Sequence, residues 1–548
     1  MDRLGLSKAG EPGCWPPVLA LTPLLFFLGR PVSIDDTLYL RAAEQILRDP
    51  WHPFDAAIAW FTTPTSLWVA SKNPPGLAYW LAGVQALGGS DERWLHLSML
   101  PFAIAAALAG GRLGRRFAGG SGWVTAVWVA SPAFVVSAST LMADVAALAF
   151  SLWGVALWVE GADAGRGGAR RLGALVAGIA LFLKYTSVLV LPVLALYVLL
   201  LVPAPRRARA LLDLWPSLAP SAAWAALGIA THGQVHFIDS LWVIDASRRL
   251  SFLGWFLEHG IALLTAVAGA GIFPALFLVP AIRESAGRWL AVLAVALGIG
   301  AGLASRSIWS AVSPWAAVAV TVLVMLGAAA LLTAGRQVLR GERDQVFLAA
   351  WVGLHVAFIW FWSWTVAVRF VLPVLPPLAL LLARALGPHR RRLLAAATAG
   401  AISVSSVVLP ADAFPGEFLR GVISALAQEA QARGQRVYFV GAGGFQYYAE
   451  RAGMQWLDPH DRTARAGDLI LQPHYVANSI LPPSFKPRIE KAAFMAAPVP
   501  PLRLHTMHPL VGAGFYASSW GPLPFMISNQ SAAGATVWRI TGGGNGSN

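Results

Sequence analysis

Residues 33–55 read SIDDTLYLRAAEQILRDPWHPFD, and residues 72–80 read KNPPGLAYW. Both stretches belong to the first polar window in a chain otherwise dominated by apolar segments. The adjacent carboxylates Asp35 and Asp36 follow shortly after the first apolar run, which extends from Trp15 to Gly29. Charged groups beside an apolar phase are costly unless something compensates them. The window therefore indicates a loop at a membrane surface whose charges serve a purpose.

The composition excludes an ordinary soluble protein. The 548 residues are 57% hydrophobic and 12% charged, with a mean hydropathy of +0.60, whereas soluble domains carry about 25% charged residues. Only a bilayer lets this much apolar surface stay uncovered by protein. The net charge is +14. Because the basic residues cluster in short loops between apolar spans, they are interpreted as topology determinants, and no nucleic acid partner is expected.

The N-terminal segment is interpreted as a retained first span. Arg3 and Lys8 precede the apolar run, and no small-residue cleavage site follows it. The single cysteine, Cys14, excludes an intrachain disulfide and a cysteine-based metal site.

Thirteen apolar segments are candidate membrane spans. They cover residues 15–30, 94–112, 121–138, 141–159, 172–185, 187–202, 211–230, 259–281, 289–305, 314–334, 346–364, 370–387 and 393–410. The pieces 172–185 and 187–202 are short and could form one kinked element. Residues 75–88 are too few to span and are predicted to form a helix lying at the surface.

The loop charges orient these spans. With the N-terminus in the cytoplasm, every inside loop has at least two arginines, in agreement with the positive-inside rule. These arginines are Arg112, Arg115, Arg116, Arg166, Arg170, Arg171, Arg206, Arg207, Arg209, Arg283, Arg288, Arg336, Arg340, Arg343, Arg390, Arg391 and Arg392. Most acids, Asp245 among them, then fall outside. The first loop, residues 31–93, and the tail after Pro410 are predicted to lie on the outer face.

The tail, residues 411–548, is predicted to be a small α/β domain outside the membrane part, residues 1–410. Residues 416–433 have helical apolar spacing, RVYFVGAGG reads as a buried strand and glycine turn, and FQYYAERAG as a helix. DLILQ and TVWRI read as later strands, and the closing GGGNGSN as a flexible end. The GAGG at 441–444 is interpreted as a strand-to-helix turn, because a dinucleotide site needs a longer fingerprint.

Asp35 and Asp36 have two interpretations. One aspartate is a good N-cap for the helix that TLYLRAAEQIL predicts. A second adjacent carboxylate then needs its own partner, and two close carboxylates push their pKa values apart, which is one way to make a general base.

Four further polar positions are candidate functional groups. Lys72, held by the Pro-Pro that follows Asn73, is either a phosphate ligand or a plain loop lysine. Asp144 and Lys184, which precedes Tyr185, are ionisable residues within apolar sequence. An ionisable residue inside a membrane segment indicates a function by default. A helix start would also explain Asp144, and snorkelling would explain Lys184. Arg369 is suited to bind phosphate with a bidentate fork. His232, His236 and Asp239 are interpreted as a polar loop rather than a metal site.

The ordered motifs resemble those of a known superfamily. DD-x-x-Y in the first loop, K-N-P-P, L-M-A-D heading a span, K-Y within apolar sequence and R-F-x-L-P-x-L-P-P occur in this order. This set resembles the GT-C glycosyltransferases, in particular the branch of protein O-mannosyltransferases and lipid A aminoarabinose transferases, over about residues 15–410. The resemblance implies an α-helical polytopic fold and inverting transfer of a sugar from a polyprenyl phosphate to a lipid, glycan or protein acceptor at the outer face.

The resemblance also implies roles for the candidate residues. The first acid of the loop pair, Asp35, corresponds to the catalytic base; the superfamily commonly has Asp-Glu where this chain has Asp-Asp, so Asp36 stays an alternative. Lys72, Lys184 and Arg369 correspond to ligands of the donor phosphate. No metal ligand set is assigned, although some relatives use a divalent cation. Further positions implied to line the same cavity are Tyr39, Asn73, Asp144 and Tyr185.

Two other classes of function stay open on the sequence. Many spans and a lysine in mid-membrane also suit a transporter or lipid flippase, although no internal duplication is visible. A scaffold with an outer binding domain would leave the acidic pair idle. The arginine- and alanine-rich usage indicates a bacterial protein of the cell inner membrane, with membrane lipids as further partners.

Overall fold

The computed structural model describes residues 15–61, 63–120, 122–240, 251–271, 285–386, 390–460 and 463–541. Arg3, Lys8, Cys14, Asp245, Arg283 and the closing glycine-rich segment lie outside these ranges. The described chain is mostly helical, with strands concentrated in its C-terminal part. The predicted class, a helical polytopic membrane protein with a smaller C-terminal α/β region, is confirmed.

Within the described ranges, seven helices are long and apolar enough to cross a membrane. They are Glu92–Ala118, Ala143–Asp163, Phe252–Gly271, Gly287–Ile308, Pro314–Val338, Arg343–Phe361 and Arg390–Ala432. The other six predicted spans are helical over shorter stretches. Their helices are Trp15–Leu19 with Thr22–Leu25, Gly122–Val129 with Pro132–Ala138, Gly167–Leu183, Val190–Leu201, Ala219–His232 and Leu375–Ala385.

Local sequence explains two of these interruptions. The Ser131 hydroxyl accepts a hydrogen bond from the Phe134 amide and caps a new helix that begins at Pro132, so the segment 122–138 divides into two helices. Lys184 has an extended backbone, with φ −156° and ψ 122°, which ends the helix Gly167–Leu183. A charged residue thus lies at a break in apolar sequence.

The first loop folds into two short helices that pack on each other. Asp36–Arg48, called the loop helix below, buries Leu40, Ala43 and Ile46 at helical spacing. It contacts the helix Gly76–Gly88, where the sequence predicted a surface helix. Leu67–Ala70 is a further short helix, and Ala57–Ile58 pairs with Thr65–Ser66 as a two-residue ribbon. The loop is therefore an ordered, packed layer.

The last span continues into the C-terminal region without a break. Arg390–Ala432, called the terminal helix, contains Pro410 and Pro415 in its interior. At about 1.5 Å per residue, its length is roughly 65 Å, about twice the hydrocarbon thickness of a bilayer. The predicted domain boundary after residue 410 therefore falls within a helix, and the C-terminal region continues directly from the last span.

The C-terminal region contains a mixed five-stranded sheet. In spatial order the strands are Gln455–Trp456, Val437–Phe439, Leu469–His474, Gly534–Ile540 and Ile489–Ala496. The first three are parallel, with Val437 opposite Leu469, and the last two pairings are antiparallel, with Thr536 opposite both Gln472 and Phe494. The predicted strands at RVYFV, DLILQ and TVWRI and the helix Gly444–Arg451 are present, whereas the edge strand Ile489–Ala496 was not predicted.

A buried ion pair joins the end of the first apolar run to the terminal helix. Arg30 Nη2 lies 2.9 Å from Asp412 Oδ2, and both side chains are at most 2% exposed. Arg30 also donates to Ser139 Oγ at 2.6 Å, and the Tyr516 hydroxyl donates to Asp412 Oδ2 at 2.7 Å. This network holds the end of the first apolar run, the terminal helix and the C-terminal region together.

Substituting Asp412→Ala is expected to lower the free energy of unfolding by about 3–5 kcal/mol, because it leaves a buried guanidinium uncompensated. The matched control is Glu429→Ala, which removes another Arg–carboxylate pair of the terminal helix. The side chains of this pair, Glu429 and Arg433, are 55% and 60% exposed. Such an exposed pair contributes at most about 1 kcal/mol to stability. Thermal unfolding of both variants in lipid nanodiscs measures the difference, and equal melting temperatures would contradict the role given to Arg30 and Asp412.

Candidate active site

Four charged side chains form an alternating chain beside the first loop. Asp35 Oδ2 lies 2.9 Å from Arg369 Nη2, and Arg369 Nε lies 3.7 Å from Asp144 Oδ2. Asp144 Oδ1 accepts a hydrogen bond from Lys184 Nζ. Two anions and two cations therefore alternate within contact distance, although they come from four separate parts of the chain. The sequence had predicted all four as functional residues, and the structure brings them together.

Each member is positioned at the start or end of an element. Asp35 directly precedes the loop helix, and Asp144 lies in the first turn of the helix Ala143–Asp163. Lys184 stands at the break after the helix Gly167–Leu183, and Arg369 lies in the short 3₁₀ turn Val368–Val371. Element ends carry unpaired backbone groups and tolerate polar side chains better than helix interiors do. The cluster is built where several helices end on one side of the bundle.

Arg369 keeps part of its binding capacity free. Its side chain is 11% exposed, and its Nη1 is buried without a hydrogen-bond partner among the described residues. The guanidinium carbon lies 5.4 Å from the centre of the Phe370 ring and 5.9 Å from that of Tyr516. A buried N–H group without a partner costs free energy that an incoming acceptor atom would recover. The site therefore suits an anionic oxygen.

The two carboxylates of the first loop have different surroundings. Asp36 is fully buried, and its two oxygens accept hydrogen bonds from the Ser33 and Leu141 amides at 3.0 and 2.9 Å. Burial raises the pKa of Asp36 to about 7, against the opposing effect of these donors and Arg30. Asp36 thus fixes the loop to the segment before Asp144.

Asp35 is the accessible carboxylate. Its side chain is 31% exposed. It stands at the N-cap position of the loop helix but makes no capping hydrogen bond. Its Oδ1 accepts no hydrogen bond from the part of the chain that the structure describes. The preceding residue, Ile34, has φ 45°, which is strained for a β-branched side chain and is typical of functional sites.

Tyr39 and Asn73 lie at the edge of the cluster. Asn73 Nδ2 donates to the Tyr39 hydroxyl at 3.0 Å. Burial raises the pKa of Tyr39, and the nearby carboxylates Asp144 and Asp35 raise it further. The phenol therefore stays protonated and can donate a hydrogen bond. The K-N-P-P segment reaches the cluster through Asn73.

Lys72 and Tyr185 belong to a second, aromatic cluster. Lys72 Nζ donates to the Val69 carbonyl at 2.6 Å, and burial lowers its pKa, although nearby Asp239 raises it. The Tyr185 hydroxyl hydrogen-bonds His236 at 2.7 Å and accepts from Trp224 at 2.8 Å. Among the described residues, neither side chain makes a hydrogen bond or an ion pair with Asp35, Arg369, Asp144 or Lys184.

The loop histidines are used by this second cluster. His236 hydrogen-bonds Tyr185 through Nδ1 and the Trp68 carbonyl through Nε2. The His232 ring stacks on Trp68 with centroids 3.9 Å apart, and its Nε2 lies 3.1 Å from Asp55 Oδ1. Within the described residues, no group of three His, Cys, Asp or Glu side chains could hold a metal ion.

Three residues of the surroundings were missed by the sequence reasoning: Arg30, Asp412 and Tyr516. Arg30 carried a readable signal, because an arginine at the outer end of a first span runs against the positive-inside rule. Asp412 follows Pro410 in what read as the start of a separate domain. Tyr516 lies in the far C-terminal region, and nothing local marks it.

A cavity of about 160 Å³ adjoins Asp35. Its walls come from the first loop, the terminal helix and the C-terminal region. The lining includes Ile34, Asp35, Trp60, Leu419, Phe445 and Tyr475. Asp35 thus belongs both to the charged chain and to the lining of a partly open cavity.

The GAGG turn lies against the first loop at van der Waals distance. A Cβ added at Gly444 would lie 2.1 Å from the Val32 carbonyl oxygen, and one at Gly443, whose φ is 71°, would lie 3.0 Å from that of Ile34. The Tyr448 hydroxyl accepts from the Val32 amide at 2.8 Å. The glycines are therefore explained by close packing on the residues before Asp35, beyond the strand-to-helix turn that the sequence predicted.

The chain is similar to several solved structures at low sequence identity. No family model and no curated protein matches the chain. Among solved structures, ArnT from Cupriavidus metallidurans is 16% identical, with a TM-score of 0.40 over 83% of this chain and 91% of that one. The Archaeoglobus fulgidus oligosaccharyltransferase is 12% identical, with a TM-score of 0.46 over 80% and 62%. Arabinofuranosyltransferase AftD from mycobacteria is 12% identical, with a TM-score of 0.44 over 97% and 40%. These proteins are GT-C glycosyltransferases, the superfamily that the sequence motifs resemble.

Substituting Gly444→Ala is expected to displace the backbone of Val32 and Ser33, since the new methyl group would overlap the Val32 carbonyl. Hydrogen exchange of the peptide that contains residues 32–36 should become faster, because the Ser33 amide loses its fixed position at Asp36. Gly421→Ala is the control, since a Cβ there meets no atom within 4 Å. Unchanged exchange in Gly444→Ala would contradict the close packing.

Proposed function

We propose that this protein is a membrane glycosyltransferase that moves a sugar from a polyprenyl-phosphate donor to an acceptor hydroxyl. The observation that carries the proposal is the chain Asp35–Arg369–Asp144–Lys184, in which a buried guanidinium keeps an unpartnered N–H. A carboxylate that can take a proton thus stands next to two cations that can receive a phosphate. Sugar transfer from a glycosyl phosphate needs these two functions side by side.

Arg369 and Lys184 are proposed to bind the donor phosphate. When the bond between the sugar C1 and the phosphate oxygen breaks, the electron pair stays on the leaving polyprenyl phosphate, whose negative charge increases by one. Preorganised cations in a largely buried site stabilise developing charge strongly. Because a phosphate monoester loses its second proton with a pKa near 6, the leaving group needs no acid catalyst. The two cations are sufficient for this half of the reaction.

Asp144 is proposed to hold the two cations in place. It contacts both Arg369 and Lys184 and is itself 6% exposed. Two buried cations without an anion between them would repel each other and pay a desolvation penalty. A fixed counter-ion lowers this cost before the donor arrives. Asp144 is therefore a positioning residue in the proposal.

Asp35 is proposed as the general base. It would take the proton of the acceptor hydroxyl while the acceptor oxygen forms its bond to C1 on the face opposite the leaving phosphate, which inverts the anomeric centre. Its exposure and uncommitted Oδ1 support this choice over Asp36, whose oxygens are bound to backbone amides. Lys72, which the resemblance implied as a donor-phosphate ligand, and Tyr185, which it implied as a cavity-lining residue, have no role in the proposal.

We infer that the site faces the outer side of a bacterial inner membrane. The C-terminal region contacts the first loop at Gly443 and Gly444, so both lie on the same side of the helices. Arginine-rich ion pairs gather at other helix ends, where Arg116 contacts Asp163 and Asp344. This distribution agrees with the orientation that the loop charges predict.

The test is a transfer assay with purified protein, radiolabelled polyprenyl-phosphate sugars and a membrane extract that supplies acceptors. Wild-type protein should move label from the lipid, and Asp35→Asn should lower the rate by about 10²-fold or more, as expected for loss of a general base. Asp55→Asn is the matched control, since Asp55 is another partly exposed loop carboxylate whose partner is His232.

Two results would overturn the proposal. Release of label from no donor by wild-type protein would exclude the reaction class. Equal rates for wild type and Asp35→Asn would exclude Asp35 as the base.

A further inference from the structure

We propose that the cavity beside Asp35 is the acceptor site, and that it takes a neutral alcohol whose hydroxyl-bearing end is mostly apolar and no larger than about one six-membered ring. This inference rests on the proposed function and adds the class of the acceptor. The proposal also assigns acceptor binding to the C-terminal region, because that region forms most of the cavity wall.

The chemistry of the lining favours a neutral group. Apolar side chains dominate it, among them Val32, Leu419, Phe445, Val476 and Met507. None of the described residues that line the cavity is lysine or arginine. An anionic acceptor would therefore lose its hydration without gaining a cation, which is unfavourable.

Most polar side chains of the lining already have a hydrogen-bond or ion-pair partner. Asp412 is paired with Arg30, His474 Nε2 lies 2.9 Å from Thr536 Oγ1, and the Tyr448 hydroxyl donates to Glu92. Asp35 keeps one free oxygen. A hydroxyl that enters this cavity can therefore reach Asp35, the lining carboxylate that also pairs with Arg369.

The size of the cavity limits the acceptor end. An engineered cavity of about 150 Å³ in another protein holds one benzene molecule, and the volume here is about 160 Å³. A single ring or a short branched chain fits within this volume. The remainder of a larger acceptor would have to stay outside.

One wall of the cavity is built by a strained segment. Tyr475 and Asn478 have φ 59° and 57°, and Asn478 Nδ2 donates to the Trp60 carbonyl at 2.5 Å. Left-handed backbone at non-glycine residues costs free energy and persists where the surroundings hold it. This segment, residues 475–478, joins the C-terminal region to the first loop across the cavity. Its side chains are therefore the specificity-determining ones.

The reaction in this cavity is a single displacement. The acceptor O–H bond breaks and its proton goes to Asp35. The acceptor oxygen forms the new bond to the sugar C1, and the bond from C1 to the phosphate oxygen breaks with its electron pair on the phosphate.

The experiment compares benzyl alcohol with para-hydroxymethylbenzoate, which adds only a carboxylate. Both are offered to the purified protein with the donor that the transfer assay selects. Benzyl alcohol should be glycosylated with a KM at least about tenfold lower than that of the anion. Equal KM values, or a preference for the anion, would overturn the neutral class.

A pair of variants tests the location. Ala477→Trp places an indole at the cavity wall and should raise the KM for benzyl alcohol by about tenfold or more, with the KM for the donor and slow donor hydrolysis by water unchanged. Ala492→Trp, on the exposed edge strand, should behave as wild type. An unchanged KM for benzyl alcohol in Ala477→Trp would overturn the cavity assignment. If the wild-type protein still cleaves the donor in that case, the proposed sugar transfer stands. Absence of any donor cleavage in wild type would overturn the proposed function, and the acceptor site with it.

Discussion

The constraint on which the rest of the site depends is the pairing of two largely buried cations. Arg369 and Lys184 lie close together where helices end, and removal of two positive charges from water costs several kcal/mol for each charge. Asp144 between them and Asp35 beside Arg369 supply the compensating charge. The alternation of sign along the four groups follows from electrostatics, since two neighbours of like charge would repel each other. The same order leaves a carboxylate at one end and an unpartnered guanidinium N–H within the chain.

The C-terminal region completes this arrangement. The GAGG turn packs on the backbone before Asp35, and the Arg30–Asp412 pair fixes the same loop to the terminal helix. Tyr516 joins both features, because its hydroxyl donates to Asp412 and its ring lies under Arg369. The terminal helix carries these contacts directly from the membrane part. The C-terminal region therefore forms part of the cavity that adjoins Asp35.

Local sequence was sufficient to predict the helices and to single out the four charged residues that the structure brings together. Apolar runs predict helices because a bilayer excludes unpaired backbone groups, and charges inside such runs are costly enough to need a function. Asp35, Asp144, Lys184 and Arg369 were found in this way. Their mutual pairing was not readable, because Asp35 and Arg369 are 334 residues apart in sequence.

Other features depend on contacts that a sequence does not display. The Pro-Pro after Lys72 fixes the backbone but does not determine the direction of the lysine side chain, which lies with the aromatic cluster. The predicted boundary after residue 410 rested on the end of the last apolar run, whereas the terminal helix continues through Pro410. The sequence explained the glycines of the GAGG turn by the turn itself. Gly444 is needed because a side chain there would overlap the Val32 carbonyl, which is distant in sequence.

The most direct test of the central claim is a comparison of lipid binding in nanodiscs, with a polyprenyl phosphate set against the neutral polyprenol of the same chain length. Arg369→Gln is compared with wild type, and Arg306→Gln, at an exposed position of another helix, serves as the control. Because a charge-assisted hydrogen bond contributes about 1.5–3 kcal/mol, wild type and Arg306→Gln should bind the phosphate at least about tenfold more tightly than the polyprenol. Arg369→Gln should lose this preference. Equal binding of both lipids by wild type would contradict the assignment of a phosphate site.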